Sequence, residues 1–115
     1  MTDKIELTLE KKNGVLIFRV CGRLDSVSSR QFEKQFTESL EDEDCDKVLM
    51  NLEMLNYMSR SGLRFLSTQT KSLKEKNIRL VICSVNKNIM DVIKMVGFDN
   101  ILNIQDTEKE GLTAF

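Results

Sequence analysis

The chain has 115 residues, 41% hydrophobic and 30% charged, with 17 basic against 18 acidic side chains and a net charge of -1. That length suits one domain with its own core, and the balance is that of an ordinary soluble globule. It offers no one-signed field for nucleic acid, no apolar run of membrane-spanning length and no basic leader before an apolar stretch, so the expectation is a cytoplasmic protein that binds neither nucleic acid nor membrane.

Histidine is absent. This removes the commonest general base, every Ser-His arrangement and the usual zinc ligand sets, and no cofactor is expected. The three cysteines, Cys21, Cys45 and Cys83, form no C-x-x-C pair. Cys21 and Cys83 fall in strand-like runs and read as small buried hydrophobes, whereas Cys45 lies in a polar loop.

Residues 4–10 alternate strictly, with Ile5, Leu7 and Leu9 on one face, which predicts a half-buried edge strand. Lys11-Lys12-Asn13-Gly14 is turn chemistry, and Val15 to Cys21 is apolar except at Arg19, so a hairpin leads into an inner strand. Gly22-Arg23-Leu24-Asp25 closes that strand. Ser26 to Ser29 then supply helix caps, with Ser28 and Gln31 at capping-box spacing, and Phe32, Phe36 and Leu40 mark a helix over about 28–41. Its acidic end, Glu38 to Asp46, fits a solvated loop or a docking patch for a basic partner.

The most informative stretch is Asn51 to Ser67. An apolar strand, Val48 to Leu52, passes through a short turn and opens at Ser59-Arg60-Ser61-Gly62 into an amphipathic helix that runs to about Lys76 and stops at Asn77. Such a junction presents unpaired backbone N–H groups and the positive end of a helix dipole, which favour an anion such as phosphate. At about 100° per residue, Gly62, Leu63, Leu66, Thr70 and Leu73 face the core, and Ser61, Arg64, Phe65, Thr68 and Ser72 face out. A hydroxyl beside an arginine and a phenylalanine suits a contact surface with a modifiable centre. The same residues also fit a plain N-cap, a solvated arginine and a phenylalanine tucked against a loop.

Ile78 to Cys83 predicts a further inner strand, Asn86 to Val96 a helix stopped by Gly97, and Ile101 to Ile104 a short strand; Gln105 to Phe115 reads as a polar tail. The fold class is α/β, a mixed sheet of about five strands flanked by three or four helices, with parallel strands at Val48 and Ile78.

The order of these elements, the G-x-L-D at Gly22 to Asp25, the strand ending N-L-x-x-L-x-Y-M, the S-x-S-G-L-R at Ser59 to Arg64 and the V-x-x-x-V-G-F from Val92 to Phe98 together resemble the STAS domain family. More narrowly they resemble its single-domain bacterial anti-sigma factor antagonists, over about residues 4–104. The resemblance implies partner switching. The unphosphorylated protein would bind an anti-sigma factor that is also a serine/threonine kinase; that kinase, using ATP, would phosphorylate one serine and release itself, and a metal-dependent serine phosphatase would reverse the step. The family's modified serine precedes the glycine that opens the helix, which here is Ser61, with Ser59 the second choice. Asp25, Ser26 and Ser28 would line the adjacent partner surface with Ser59, Arg60, Gly62, Arg64, Phe65 and Thr68. Where members commonly carry D-S-S-G, this chain has Ser59-Arg60-Ser61-Gly62.

Two other readings compete with the switch. One is a STAS-like module that docks constitutively or binds a small ligand at the same helix end. The other is a receiver or small α/β enzyme, disfavoured because the central strand ends in Asn51-Leu52-Glu53 with no clustered carboxylates for magnesium.

Overall fold

The computed structural model describes residues 5–115; Lys4, where the first predicted strand begins, lies outside them. The chain runs β1 (Glu6–Lys12), β2 (Val15–Leu24), α1 (Ser28–Asp42), β3 (Lys47–Asn51), β4 (Leu55–Met58), α2 (Arg60–Glu75), β5 (Arg79–Cys83), α3 (Lys87–Met95), a 3-10 turn at Phe98–Asn100, β6 (Ile104–Gln105) and α4 (Glu108–Leu112). The strand order is β1-β2-β3-β5-β6, with β4 on β2. β1 and β2 are antiparallel and the other pairs parallel, so the expected mixed sheet is present, with the hairpin strand at its edge.

The hairpin closes on a two-residue loop, Asn13 and Gly14, at φ 53° and 77°, a left-handed pair that only such residue types adopt readily. β2 is long enough to serve two partners. Leu16 to Arg19 pair with β3, and beyond an irregularity at Gly22, where φ is 114°, the strand pairs with β4. The sequence predicted only a turn at β4. Four residues following a two-residue turn carry too little alternation to be read as a strand.

Period-two alternation sends the sheet's side chains to two faces. Leu16, Phe18, Val20, Met50 and Ile82 pack beneath α1, α2 and α3, through Phe32 and Phe36, Leu63 and Leu66, and Ile89 and Ile93. Val15, Ile17, Leu49, Val81 and Cys83 form the second cluster, covered by Leu112, Ala114 and Phe115.

The reading of Gln105 to Phe115 as a polar tail is therefore corrected, because its last residues close this second face. The Thr107 hydroxyl caps α4 by accepting from the Glu110 amide at 3.1 Å. Glu108 accepts from Arg19 Nη2 at 2.9 Å and Asn51 Nδ2 at 3.0 Å. Gly111 lets α4 pack closely here, since a Cβ there would lie 2.7 Å from Leu49 Cδ1 and push that side chain aside. Cys21 is also corrected: it is exposed, since the end of β2 extends past this cover, whereas Cys83 is buried as expected.

Burial pushes the Glu108 carboxyl up, but the bonds from Asn51 and Arg19 outweigh it and leave it below the ordinary glutamate value of 4.5. A group depressed in the folded state stabilises above its unfolded pKa and stops doing so as pH falls through the folded one. Glu108→Gln is therefore expected to lose about 1–2 kcal/mol at pH 7, after allowance for solvent screening of a partly exposed pair. Urea melts of both proteins should converge as the pH drops below 4.5; a gap independent of pH would show that charge is not what holds α4.

Candidate functional site

The site is built where β2 ends and α2 begins. Ser59 is the N-cap of α2: its hydroxyl accepts from the Gly62 amide at 3.1 Å, its carbonyl from the Leu63 amide at 2.9 Å, and its own amide donates to the Leu24 carbonyl at 2.9 Å. The helix mouth is thereby fastened to the last residue of β2. Gly62 permits the approach, because a Cβ on it would stand 2.6 Å from the Leu24 carbonyl oxygen and 2.8 Å from Leu24 Cγ.

Gly62→Ala would ordinarily favour a helix by about 1 kcal/mol. Here the backbone obstructs it, so a net loss of about 1–3 kcal/mol is expected, measured by thermal melting. Unchanged or raised stability would mean that α2 can shift away from Leu24.

Ser61, one residue before that contact, is exposed, as are Arg60, Arg64 and Thr68. The first turn of α2 holds no acidic residue. The two serines of the junction thus differ: the Ser59 hydroxyl is committed to the cap, whereas Ser61 stands on the solvent side of the positive helix end.

The turn that leaves Leu24 forms the neighbouring rim. Asp25 Oδ1 accepts from the amides of Val27 at 3.0 Å and Ser28 at 2.9 Å, and the Asp25 carbonyl accepts from Ser29 at 2.9 Å. The Ser28 amide foremost, then the Val27 amide and the Arg23 charge, hold the Asp25 carboxyl below its usual range, so it is anionic at neutral pH. Ser26 is exposed beside it.

Three residues expected on the contact surface are placed otherwise. Ser28 is buried, its hydroxyl donating to the Arg23 carbonyl at 2.6 Å and accepting from the Asp25 amide at 2.9 Å, so the Ser28–Gln31 capping box is not formed and Asp25 takes the capping role. Gly62 is buried against Leu24. Phe65 is only 8% exposed and packs on Phe32 of α1 at 5.1 Å between ring centroids. The helical wheel put Phe65 on the outward side, and this is corrected: α1 lies along that side of α2 and covers the ring.

Two surface residues escaped the sequence reading. Val27 is 80% exposed at the tip of the turn, and Tyr57 on β4 carries the Arg23 guanidinium 4.2 Å above its ring. An apolar residue interrupting the serine run at 26–29 was the available signal for the first; the second needs β4, which pairs Arg23 with Tyr57. At one end of the sheet the chain thus assembles an exposed hydroxyl, an anionic carboxylate, three arginines, a valine and a tyrosine stacked under one of those arginines. No group of three or more acidic or cysteine side chains among the described residues is placed to hold a metal ion.

A curated relative, the anti-sigma F factor antagonist of Paenibacillus polymyxa, is 29% identical over 109 residues, covering 95% of this chain and 93% of the relative. Among solved structures, an anti-sigma factor antagonist from Mycobacterium paratuberculosis superposes with a TM-score of 0.83 at 20% identity, covering 99% of this chain and 96% of that one. The anti-sigma factor antagonist SpoIIAA has been solved unphosphorylated (TM-score 0.74, 18% identity, 93% of each chain) and, as a Bacillus cell fate determinant, phosphorylated (0.67, 18%, 94% and 97%). These solved structures share the overall fold, and the sequence profile of the STAS domain matches residues 6–111, nearly the whole chain: the protein belongs to the STAS domain family.

Proposed function

We propose that this protein is an anti-sigma factor antagonist that exchanges partners according to the state of Ser61. Unphosphorylated, it holds a cytoplasmic anti-sigma factor through the surface formed by Asp25, Ser26, Val27, Tyr57, Arg60, Ser61, Arg64 and Thr68, and a sigma factor is set free. The anti-sigma factor, acting as a kinase, moves the γ-phosphoryl group of ATP to Ser61 Oγ; ADP leaves and the complex separates. A serine phosphatase hydrolyses the ester and restores the binding form. In this scheme the chain is a substrate and ligand, and the catalysts are its partners.

The observation that carries the reading is the division of labour between the junction serines, one consumed by the helix cap and the other exposed on the positive end of α2. The names of the relatives support the role. A phosphate at Ser61 adds about -1.5 to -2 charges, which the isolated protein accommodates beside the helix amides, Arg60 and Arg64.

The test is intact-mass analysis after incubation with the cognate anti-sigma factor kinase and magnesium ATP, followed by peptide mapping. One phosphate on Ser61 is expected. Ser61→Ala should accept none, whereas Ser59→Ala should still accept one while losing about 1 kcal/mol of stability with its cap. Phosphate on Ser59 would reverse the assignment, and no phosphate under any condition would leave a constitutive docking module.

A further inference from the structure

Arg60, Arg64 and Lys71 lie within about 40° of one another around α2 and span about 16 Å along it. All three are exposed, and they form a ridge that starts at the helix mouth. Glu75 is the first acidic residue on this line. Among the described residues the ion pairs are Lys11–Glu43, Arg19–Glu10 and Arg19–Glu108, so none of the three ridge cations is neutralised from within the fold. Glu33 and Glu41 of α1 line a groove of about 370 Å³ with Gln69, Ser72 and Lys76, on the other flank of the helix.

We infer that this ridge is the docking rail for an acidic face of the partner protein, and that a phosphate on Ser61 silences it by charge. The inference rests on the reading of Ser61 given above and adds the chemistry of what docks there. An acidic protein fits better than an anionic membrane, because the ridge carries no large apolar side chain to insert; the exposed ones, such as Val27, Met54, Tyr57 and Met95, lie on other segments. It fits better than nucleic acid, because three cations within a chain of net charge -1 are too few for a phosphate backbone. Ser61 flanks the ridge, one residue from Arg60 and three from Arg64. A phosphate there therefore sets about two negative charges beside Arg60 and Arg64 and weakens the attraction at the mouth end of the ridge without moving the backbone.

Solvent-exposed charges of this kind act mainly on the rate of association and are screened by salt. The experiment is stopped-flow association of the purified cognate anti-sigma factor with the wild type, with R64E/K71E and with Lys109→Glu, at about 50 mM and about 500 mM salt. Lys109 lies on α4, across the sheet, and serves as the charge control. The expected result is a wild-type association rate that falls about tenfold with salt, an R64E/K71E rate already about tenfold lower at low salt and insensitive to salt, and a Lys109→Glu rate within about twofold of wild type. Circular dichroism should show both variants folded, since all three positions are exposed.

If the wild type binds but R64E/K71E associates at the same rate, or Lys109→Glu slows as much, the rail is wrong while the antagonist reading stands. If the wild type binds no anti-sigma factor at either salt, that reading fails and the rail with it. Sedimentation of the wild type, but not R64E/K71E, with phosphatidylglycerol vesicles would reassign the ridge to a lipid surface.

Discussion

Phe65→Ala is expected to destabilise the fold by about 3–5 kcal/mol, the largest stability effect foreseen for any residue near the site. The Phe65 ring is the outer member of a chain of four: it meets Phe32 at 5.1 Å, Phe32 meets Phe36 at 5.8 Å, and Phe36 meets Phe18 at 4.7 Å. These rings join α2 to α1 and α1 to β2 in tilted and edge-on contacts, each adding to the stabilisation from burial itself. Truncation removes one end of the chain and leaves a void between two helices that the neighbouring rings fill only in part. Thermal melting should show a fall of roughly 10–20 °C, and Phe65→Leu a much smaller one. A loss below about 1 kcal/mol would return this ring to the surface and to the candidates for docking.

The second large effect is on binding. Ser61→Asp is expected to lower affinity for the anti-sigma factor a hundredfold to a thousandfold, which corresponds to about 3–4 kcal/mol. In the proposed interface the carboxylate would have to be desolvated where the wild type presents a neutral hydroxyl. In the free protein the same charge is welcome at the start of a helix, so stability should hold or rise by about 0.3–1 kcal/mol. Opposite signs in calorimetric binding and in urea melts distinguish a switch from simple damage. Ser61→Ala should bind nearly as the wild type does. Equal affinity for the aspartate variant would remove Ser61 from the interface.

The elements that the sequence made legible are those with their own boundary chemistry. Asn13-Gly14 announced the hairpin, the run Ser59-Arg60-Ser61-Gly62 and Asn77 bracketed α2, and Asn86 and Gly97 bracketed α3, whose cap accepts from the Ile89 amide at 2.9 Å. What was missed depends on contacts between segments distant in sequence. β4 is a strand because β2 extends past β3, Phe65 is buried because α1 lies beside α2, and α4 is held by Arg19, 89 residues away. The same division runs through the site. Helix geometry pointed Ser61, Arg64 and Thr68 outward, while the fates of Ser28 and Gly62 were decided by Arg23, Asp25 and Leu24, to which spacing along one element is blind.

The mouth of α2 is secured to Leu24 by a main-chain bond from Ser59 and by a glycine with no room for a side chain, so this corner of the molecule is closely tied. A chemical mark placed on Ser61 is accordingly displayed rather than relayed: nuclear magnetic resonance shifts on modification should fade within a few residues of the junction. If Ser61 is the modified residue as proposed, repeated marking and erasure would leave the interior undisturbed, and the memory of each round would reside only in the outermost layer.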